Sequence, residues 1–382
     1  MSKYNFDELV NRKHSQSYKW DVKDNELPMW VADMDFHMLP DIKVAIQKRL
    51  DIDAFGYCGV PKEYYESYKN WWKRRHDVDI DVNSMVYSEG VVASIDSILK
   101  HIVKSGSGII VQSPVYHVFY HCIENNGHFI KNNQLLYKKG QYCIDFDGLE
   151  ALLKDSTNLV LLLCNPHNPV GRIWSEEELK RIVELCHKYH VLIISDEIHC
   201  DIAEPGHQYN SILKYSEDAI ALLAPSKAFN LAGLKSSVVV TRNKELLKQI
   251  QDGLGKDDLG EPNYFACDAT IAAFNKGDEW IDELNQYLFN NKKYIQEYLK
   301  KNLPDIHLVD NKATYLLWLD VSKYTSDSDG FAKELRKKTG LFLSNGKQFG
   351  RGGESFLRMN IATSLDNVKD ACDRLYKFIK SN

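Results

Sequence analysis

The sequence predicts an α/β fold, in which helices cover both faces of a mostly parallel sheet, with a smaller α+β domain beside it. Three observations support this prediction. Continuous apolar runs such as Leu159–Cys164 and Val191–Ser195 are typical of strands buried on both faces. Helical patterns separate these runs, which favours parallel strands joined by crossover helices. From about residue 285 the pattern changes to a long charged helix followed by short strands.

The individual elements follow from the spacing of apolar residues. The second predicted helix carries Tyr64, Tyr68 and Trp72 at helical spacing. Ser175 and Glu178 have the spacing of a capping box, which marks the start of another helix. The predicted elements are helices near 41–50, 64–72, 91–99, 176–186 and 368–378, and strands near 85–88, 108–112, 159–164, 191–195, 219–224, 237–241, 315–319 and 355–361.

We divide the chain into three parts. Residues 1–45 form an N-terminal arm that belongs with the smaller domain, residues 46–285 form the large domain, and residues 286–382 form the small C-terminal domain. The arm is predicted to have little regular structure. Its segment Leu27–Phe36 is unusually apolar for a terminal region, so we expect Trp30 and Phe36 to pack against the rest of the protein.

Composition and charge exclude several classes of function. The formal net charge of -5 gives no strong basic field for nucleic acid or an anionic membrane. The N-terminus lacks the apolar core of a signal peptide, and no apolar run is long enough to span a bilayer. The eight cysteines are scattered without a Cys-x-x-Cys pair, which predicts reduced thiols in a cytoplasmic protein.

Two other kinds of site are not supported by their motifs. A nicotinamide site requires Gly-x-Gly-x-x-Gly after a first strand, and the chain offers only Gly253-Leu-Gly255 in a polar context. A zinc site requires closely spaced ligands, and Cys186, His187 and His190 have no second cluster nearby. We therefore expect no metal.

Lys227 follows directly after the apolar run Ala219–Ala224, in the sequence Pro225-Ser-Lys-Ala-Phe-Asn. Open α/β sheets bind ligands at the carboxyl ends of their strands. A lysine that is desolvated there can lose its proton and form a Schiff base. A solvated surface lysine is the more common outcome for such a position taken alone, so the interpretation depends on the other motifs.

Six segments together resemble pyridoxal 5'-phosphate enzymes of the aspartate-aminotransferase fold (fold type I), and more narrowly the MalY/PatB group of C–S lyases. They occur in the order of that family and extend over nearly the whole chain. The segments are Leu27–Phe36, Ser113–Tyr120, Asn165–Arg172, Ser195–Asp201, Pro225–Gly233 and Phe356–Ile361.

The resemblance implies roles for individual residues. Lys227 is expected to hold the cofactor as a Schiff base and to act as the catalytic base, with Tyr116 stacked on the cofactor ring and contributing to catalysis and substrate binding. Arg358 is expected to bind the substrate α-carboxylate through its guanidinium fork. The remaining cofactor contacts are expected from Asp196 at the ring nitrogen, Asn168 and His199 at the phenolic oxygen, Val91, Val92, Ser226 and Lys235 at the phosphate, and Tyr57 of a neighbouring subunit at the same phosphate.

The chain departs from the wider aminotransferase pattern near Lys227. That pattern has a serine three residues before the lysine and an arginine eight residues after it, where this chain has Ala224 and Lys235. Lysine supplies the positive charge without the bidentate fork of arginine.

The reaction implied by the resemblance is β-elimination from L-cystathionine or a related cysteine S-conjugate, which yields a thiol, pyruvate and ammonia. An aminotransferase acting on aromatic or sulfur amino acids with a 2-oxo acid acceptor is the alternative, because Lys227, Asp196 and Arg358 serve both reactions. A secondary regulatory, protein-binding role is a third hypothesis, for which the sequence marks no surface. A homodimer is expected, since Tyr57 is assigned to the neighbouring site.

Overall fold

The computed structural model of the protein describes residues 3–381. The α-helices are α1 (Pro40–Leu50), α2 (Lys62–His76), α3 (Val91–His101), α4 (Val118–Asn125), α5 (Phe146–Leu153), α6 (Glu176–Lys188), α7 (Lys244–Lys256), α8 (Ala266–Lys276), α9 (Asp278–Asn302), α10 (Ser328–Thr339) and α11 (Leu365–Lys380). The strands are β1 (Leu27–Pro28), β2 (Met85–Ser88), β3 (Gly108–Val111), β4 (Phe129–Asn132), β5 (Leu136–Lys138), β6 (Gln141–Cys143), β7 (Asn158–Cys164), β8 (Leu192–Asp196), β9 (Ile220–Leu223), β10 (Ser237–Val240), β11 (His307–Leu308), β12 (Leu316–Asp320), β13 (Leu341–Phe342), β14 (Ser344–Asn345) and β15 (Phe356–Asn360).

The largest sheet has seven strands in the order β2-β10-β9-β8-β7-β3-β4. The pairs from β9 to β4 are parallel, whereas β10 is antiparallel to both of its neighbours, β2 and β9. The mostly parallel sheet predicted from the sequence is therefore confirmed. Since β10 alone is reversed, the carboxyl ends of β2, β7, β8 and β9 lie at one edge of the sheet.

Both faces of this sheet are buried by helices. Along β7 the side chains alternate: Leu161 and Leu163 pack in the cluster that includes α2, α6, α8 and α9, and Val160 and Leu162 pack in the cluster that includes α3, α4 and α7. This alternation explains why the strand sequence is apolar throughout, since each face needs its own apolar residues.

A smaller antiparallel sheet, in the order β11-β12-β15-β14, lies in the C-terminal part of the chain with α10 and α11. α11 buries the predicted apolar stripe, including Val368, Cys372 and Phe378. The smaller α+β domain is thus confirmed as part of the fold. The three-part division of the chain stays a prediction, and its boundary at residue 285 falls within α9.

The N-terminal arm is mostly irregular, as predicted, but its strand β1 pairs in parallel with β13 of the C-terminal part. The predicted capping box is confirmed at α6, where the Ser175 hydroxyl accepts from the Glu178 N–H and the Glu178 carboxylate accepts from the Ser175 N–H. Among residues 3–381, none of the helices combines the length and apolarity needed to cross a bilayer.

Candidate active site

The site lies where the strands of the large sheet end. Asn168 follows β7, Asp196 is the last residue of β8, Lys227 follows β9, and Val91 begins α3 just beyond β2. Parallel strands bring these positions together because their carboxyl ends share an edge of the sheet. The cavity at this edge has a volume of about 440 Å³, within the roughly 300–1,000 Å³ usual for small-molecule sites.

Most residues assigned from the sequence line this one cavity. They are Val91, Val92, Tyr116, Asn168, Asp196, His199, Ser226, Lys227 and Lys235. Arg358 is not among the lining residues, but its Nη1 donates to Asn168 Oδ1 at 3.1 Å. Tyr57 lies on the surface with its side chain fully exposed, away from the cavity of its own chain.

Lys227 lies in the turn after β9, and its Nζ donates to the main-chain carbonyl of Ala32 at 3.0 Å. Burial and, to a smaller extent, the positive charge of Arg358 lower the pKa of Lys227 to about 8, against the opposing effect of Asp33 and Asp196. A fraction of this amine is therefore neutral near pH 7, as a nucleophile or proton acceptor must be.

Asp196 is buried at the end of β8, where its Oδ1 accepts from the Ile198 N–H at 3.1 Å. Burial raises the pKa of its carboxyl to about 7, although that hydrogen bond and the charge of Lys227 both lower it. Within residues 3–381, Asp196 makes no ion pair, so its carboxylate favours a ligand that brings positive charge.

His199 and Asn168 carry polar atoms toward the same region. His199 is buried, and burial together with the charges of Lys227 and Arg358 keeps its pKa well below the ordinary value, so the ring is neutral. Its Nδ1 is buried without a hydrogen-bond partner among the described residues. An orphaned nitrogen of this kind is expected to be satisfied by a bound ligand.

Arg358 lies on β15 of the smaller sheet and is buried. Its Nη2 donates to the Trp30 carbonyl at 2.9 Å, and its Nε has no partner among the described residues. A guanidinium has five N–H donors, and the contacts to Asn168 and Trp30 occupy two of them. The group therefore retains donors for a carboxylate. Its guanidinium also lies 4.7 Å from the ring centroid of Phe349.

The N-terminus of α3 supplies the anion-binding feature. Gly90 precedes the helix without a side-chain cap, and the first N–H groups of a helix lack partners within it. Ser226 and the cationic Lys235 line the same cavity. These groups fit pyridoxal 5'-phosphate. Its phosphate needs an anion site such as the start of α3, its ring nitrogen needs an acid such as the buried Asp196 carboxyl, and its phenolic oxygen needs a donor such as the orphaned His199 nitrogen.

Known proteins match this chain over almost its whole length. The aminotransferase class I and II family matches residues 28–375. The chain belongs to that family. Within the aminotransferase class I and II family, the chain is 37% identical to cystathionine beta-lyase PatB of Bacillus subtilis (strain 168), over 97% of this chain and 98% of that protein.

Solved structures of this family agree with the fold. Cystalysin of Treponema denticola, which contains pyridoxal 5'-phosphate, has a TM-score of 0.95 and 31% identity, with 99% of each chain covered. The pyridoxal-phosphate-bound C–S lyase of Staphylococcus hominis has a TM-score of 0.92 and 32% identity, with 98% of each chain covered. Fold type I and the pyridoxal 5'-phosphate cofactor, both expected from the sequence, are thereby confirmed.

Sequence reasoning gave no role to Glu197, next to Asp196. Its fully buried carboxylate is an acceptor for several groups that join the ends of β7 and β8 to the segment 209–212. The donors are Asn165 Nδ2, Ser195 Oγ, Tyr209 OH, Ser211 Oγ and the Ile212 N–H. Burial raises the pKa of Glu197, and the hydrogen bonds from Ile212, Tyr209, Ser211 and Ser195 oppose that effect. The sequence signal that could have indicated this role is the position of Glu197, a charged residue just after the apolar run of β8.

Another cluster missed in the sequence lies outside the cavity. The ligand-type atoms of His76, Cys200 and Asp201 lie within 4.8 Å of one another. Asp201 Oδ1 is 2.7 Å from His76 Nε2 and accepts from Trp71 Nε1 at 2.9 Å. The cluster is explained as a buried hydrogen-bond network that joins α2 to the loop after β8, since its carboxylate already has partners.

Proposed function

We propose that this chain is a pyridoxal-phosphate-dependent C–S lyase that acts on L-cystathionine or a related cysteine S-conjugate by β-elimination. The observation that carries the proposal is the meeting of a half-buried amine, a buried carboxyl and a buried guanidinium at one site. Lys227 and Asp196 line the cavity, and Arg358 adjoins it through its hydrogen bond to Asn168. Its full-length likeness to proteins named cystathionine beta-lyase and C–S lyase supports the choice of reaction.

The lining of the cavity supports the cofactor contacts that the family resemblance implies. Lys227 would hold the cofactor covalently, Asp196 would pair with its ring nitrogen, and Asn168 and His199 would contact its phenolic oxygen. Val91, Val92, Ser226 and Lys235 would surround its phosphate, and Tyr116 would stack on its ring. When bound, the cofactor supplies an electron sink for the bonding pair released at the substrate Cα.

Arg358 would bind and orient the substrate. Its remaining N–H donors match the two oxygens of an α-carboxylate, and Asn168 Oδ1 and the Trp30 carbonyl fix the plane of the guanidinium. Holding the carboxylate at one point turns the Cα–H bond toward a defined side of the cavity. That orientation lowers the entropic part of the barrier before any bond breaks.

Lys227 would move the proton. With its pKa near 8, the Nζ of the freed lysine accepts the proton from the substrate Cα. As that bond breaks, the Cα–Cβ double bond forms and the Cβ–S bond breaks, so that the sulfur leaves with the electron pair as a thiolate. Hydrolysis of the enamine product then gives pyruvate and ammonia, and L-cystathionine yields homocysteine.

The test adds L-cystathionine to the enzyme with no 2-oxo acid present. We expect continuous release of pyruvate and free thiol in equal amounts, and no release from Lys227→Ala. The aminotransferase alternative, which the same residues permit, predicts at most one turnover per subunit until a 2-oxo acid is added. A single turnover that resumes with a 2-oxo acid therefore contradicts the lyase proposal.

We also propose a homodimer in which Tyr57 contributes to the neighbouring site. A row of exposed apolar side chains lies between α1 and α2 and on α1 itself, namely Val44, Leu50, Ile52, Phe55 and Tyr57. Such a concentration of exposed apolar surface is typical of an interface. Light scattering should give the mass of two chains.

Mixed dimers test the position of Tyr57 directly. Subunits carrying Lys227→Ala and subunits carrying Tyr57→Ala are each impaired alone. If Tyr57 serves the neighbouring site, a hybrid dimer has one site with both native residues, and activity rises on mixing. If Tyr57 serves its own chain, mixing restores nothing.

The proposed enzyme acts on a small molecule in the cytoplasm and binds neither nucleic acid nor membrane. Its net charge of -5 and its eight free cysteines support this proposal.

A further inference from the structure

The segment Met29–Asp35, which we name the strap, crosses the site as irregular chain. Its carbonyl oxygens contact both functional cations. The Ala32 carbonyl accepts from Lys227 Nζ at 3.0 Å, and the Trp30 carbonyl accepts from Arg358 Nη2 at 2.9 Å. The main chain of the strap is thus a shared acceptor for the amine, in the turn after β9 of the large sheet, and the guanidinium, on β15 of the smaller sheet.

Two asparagines hold the strap beside these cations, together with the Ser344 hydroxyl, which donates to the Trp30 carbonyl, and Lys19 Nζ, which donates to the Asp33 carbonyl. Asn230 follows Lys227 in the same turn; its Nδ2 donates to the Met34 carbonyl and its Oδ1 accepts from the Met34 N–H, both at 3.0 Å. Asn360 follows Arg358 on β15, and its Nδ2 donates to the Val31 and Asp33 carbonyls at 2.5 and 2.7 Å. Each asparagine therefore joins the strap to the element that carries one cation.

The amide side chain is suited to this use because it carries a donor and an acceptor, as a peptide group does. The Oδ1 of Asn360 accepts from the Ala362 N–H at 2.7 Å, so that side chain is also satisfied at both ends. Asn230 lies at φ 56°, in the left-handed region that asparagine tolerates better than most residues. Three of the six sequence segments, Leu27–Phe36, Pro225–Gly233 and Phe356–Ile361, are thereby in direct contact.

We propose that Asn230 and Asn360 are positioning residues, which hold the strap so that its Ala32 and Trp30 carbonyls fix Lys227 and Arg358. Because it takes these two cations as the reacting and the substrate-binding group, the proposal rests on the proposed function. The charged groups that face Lys227 are Asp33 on the strap, Asp196 on β8 and Arg358 on β15. The asparagines carry no charge themselves, so their effect on the amine is through the position of the strap, which carries both the Ala32 carbonyl and the Asp33 carboxylate.

The test uses the full chain with its cofactor removed, in three variants. Asn230→Gly removes the side chain while keeping a residue that accepts positive φ. Asn360→Ala removes the two donor bonds to the strap. Asn291→Ala is the matched control for Asn360→Ala, because Asn291 is as buried as Asn360 and its Nδ2 donates to the Ile361 and Thr363 carbonyls at 3.1 and 2.9 Å without touching the strap. Asn230→Ser, which adds no charge near Lys227, replaces Asn230→Gly if that variant does not fold.

Two readouts need neither cofactor nor substrate. The first is the pH midpoint for modification of Lys227 by an amine reagent, followed by mass spectrometry of its peptide. Loss of the carbonyl acceptor disfavours the ammonium form, so the midpoint should fall by about 0.5 to 1 pH unit in both strap variants. The second is hydrogen exchange of the strap, which should be at least about tenfold faster in both strap variants and unchanged in Asn291→Ala.

The reconstituted enzymes give a third readout. Asn360→Ala should raise the KM for the substrate by about tenfold, since the guanidinium loses a fixed acceptor. An equal effect of Asn291→Ala on midpoint and exchange, or strap variants that match the native protein in both, would overturn the proposal. If midpoint and exchange shift as expected but no lyase activity is found in the native enzyme, the proposed reaction fails while the positioning role of the asparagines stands.

Discussion

Replacing Asp196 with asparagine should make the cofactor-free protein more stable, by an amount that grows as the pH rises. The carboxyl has an ordinary pKa of about 3.9 in the unfolded chain, and burial raises it to about 7 in the folded protein. Below about pH 4 the carboxyl is protonated in both the folded and the unfolded state, so no charge is buried and folding carries no penalty for it. As the pH rises toward 7, the unfolded chain ionises first, so the folded state loses stability relative to it.

The magnitude follows from the difference between the two pKa values. A difference of about three units corresponds to about 4 kcal/mol, developed between about pH 4 and pH 7 and constant above that range. Asparagine does not titrate, and its Oδ1 can accept from the Ile198 N–H as the carboxylate does. The variant therefore avoids the penalty that the native carboxyl carries for its function.

Urea unfolding of the cofactor-free proteins at about pH 5, 6, 7 and 8 measures the effect. The stability difference between variant and native protein should widen with pH, and added pyridoxal 5'-phosphate should stabilise the native protein more than the variant. Glu150→Gln is a control of opposite sign, because Lys188 and Tyr189 lower the pKa of Glu150 to about 2. That variant should be less stable by a constant amount across this range. A difference for Asp196→Asn that does not change with pH would refute the reasoning.

Other substitutions test single contacts. Arg358→Lys keeps the charge without the fork, so the KM for the amino acid should rise about tenfold to hundredfold in steady-state assays, and an unchanged KM would remove Arg358 from carboxylate binding. Glu197→Ala leaves several buried donors without their acceptor, which should lower the free energy of unfolding by about 3 kcal/mol or more; a loss below about 1 kcal/mol would contradict that network. Ser175→Ala breaks the capping box of α6 and should cost about 1 kcal/mol in urea unfolding with kcat/KM unchanged, and a loss of activity would mean that α6 does more than support the fold.

The strands and helices predicted from the sequence occur in the structure because each depends on a local pattern of residues. Apolar runs with no polar face, such as Leu159–Cys164, require a sheet covered on both sides, and the helical stripe of α11 requires one buried face. The position of Asn168, Asp196 and Lys227 in one cavity also followed, because the ends of parallel strands meet at one edge. Sequence pattern could not show that β10 is reversed, since its apolar residues suit either direction.

The sequence by itself determined the fold class, the order of the motifs and the residue types of the site. The tertiary structure decided which acceptors those residues meet and how their protons are held. The carbonyls of Trp30 and Ala32 fix Arg358 and Lys227, yet a main-chain carbonyl has the same chemistry at every residue and leaves no mark in a sequence. The pKa values of Lys227 and Asp196 depend on burial and on charges distant in the chain, and these exist only once the chain is folded.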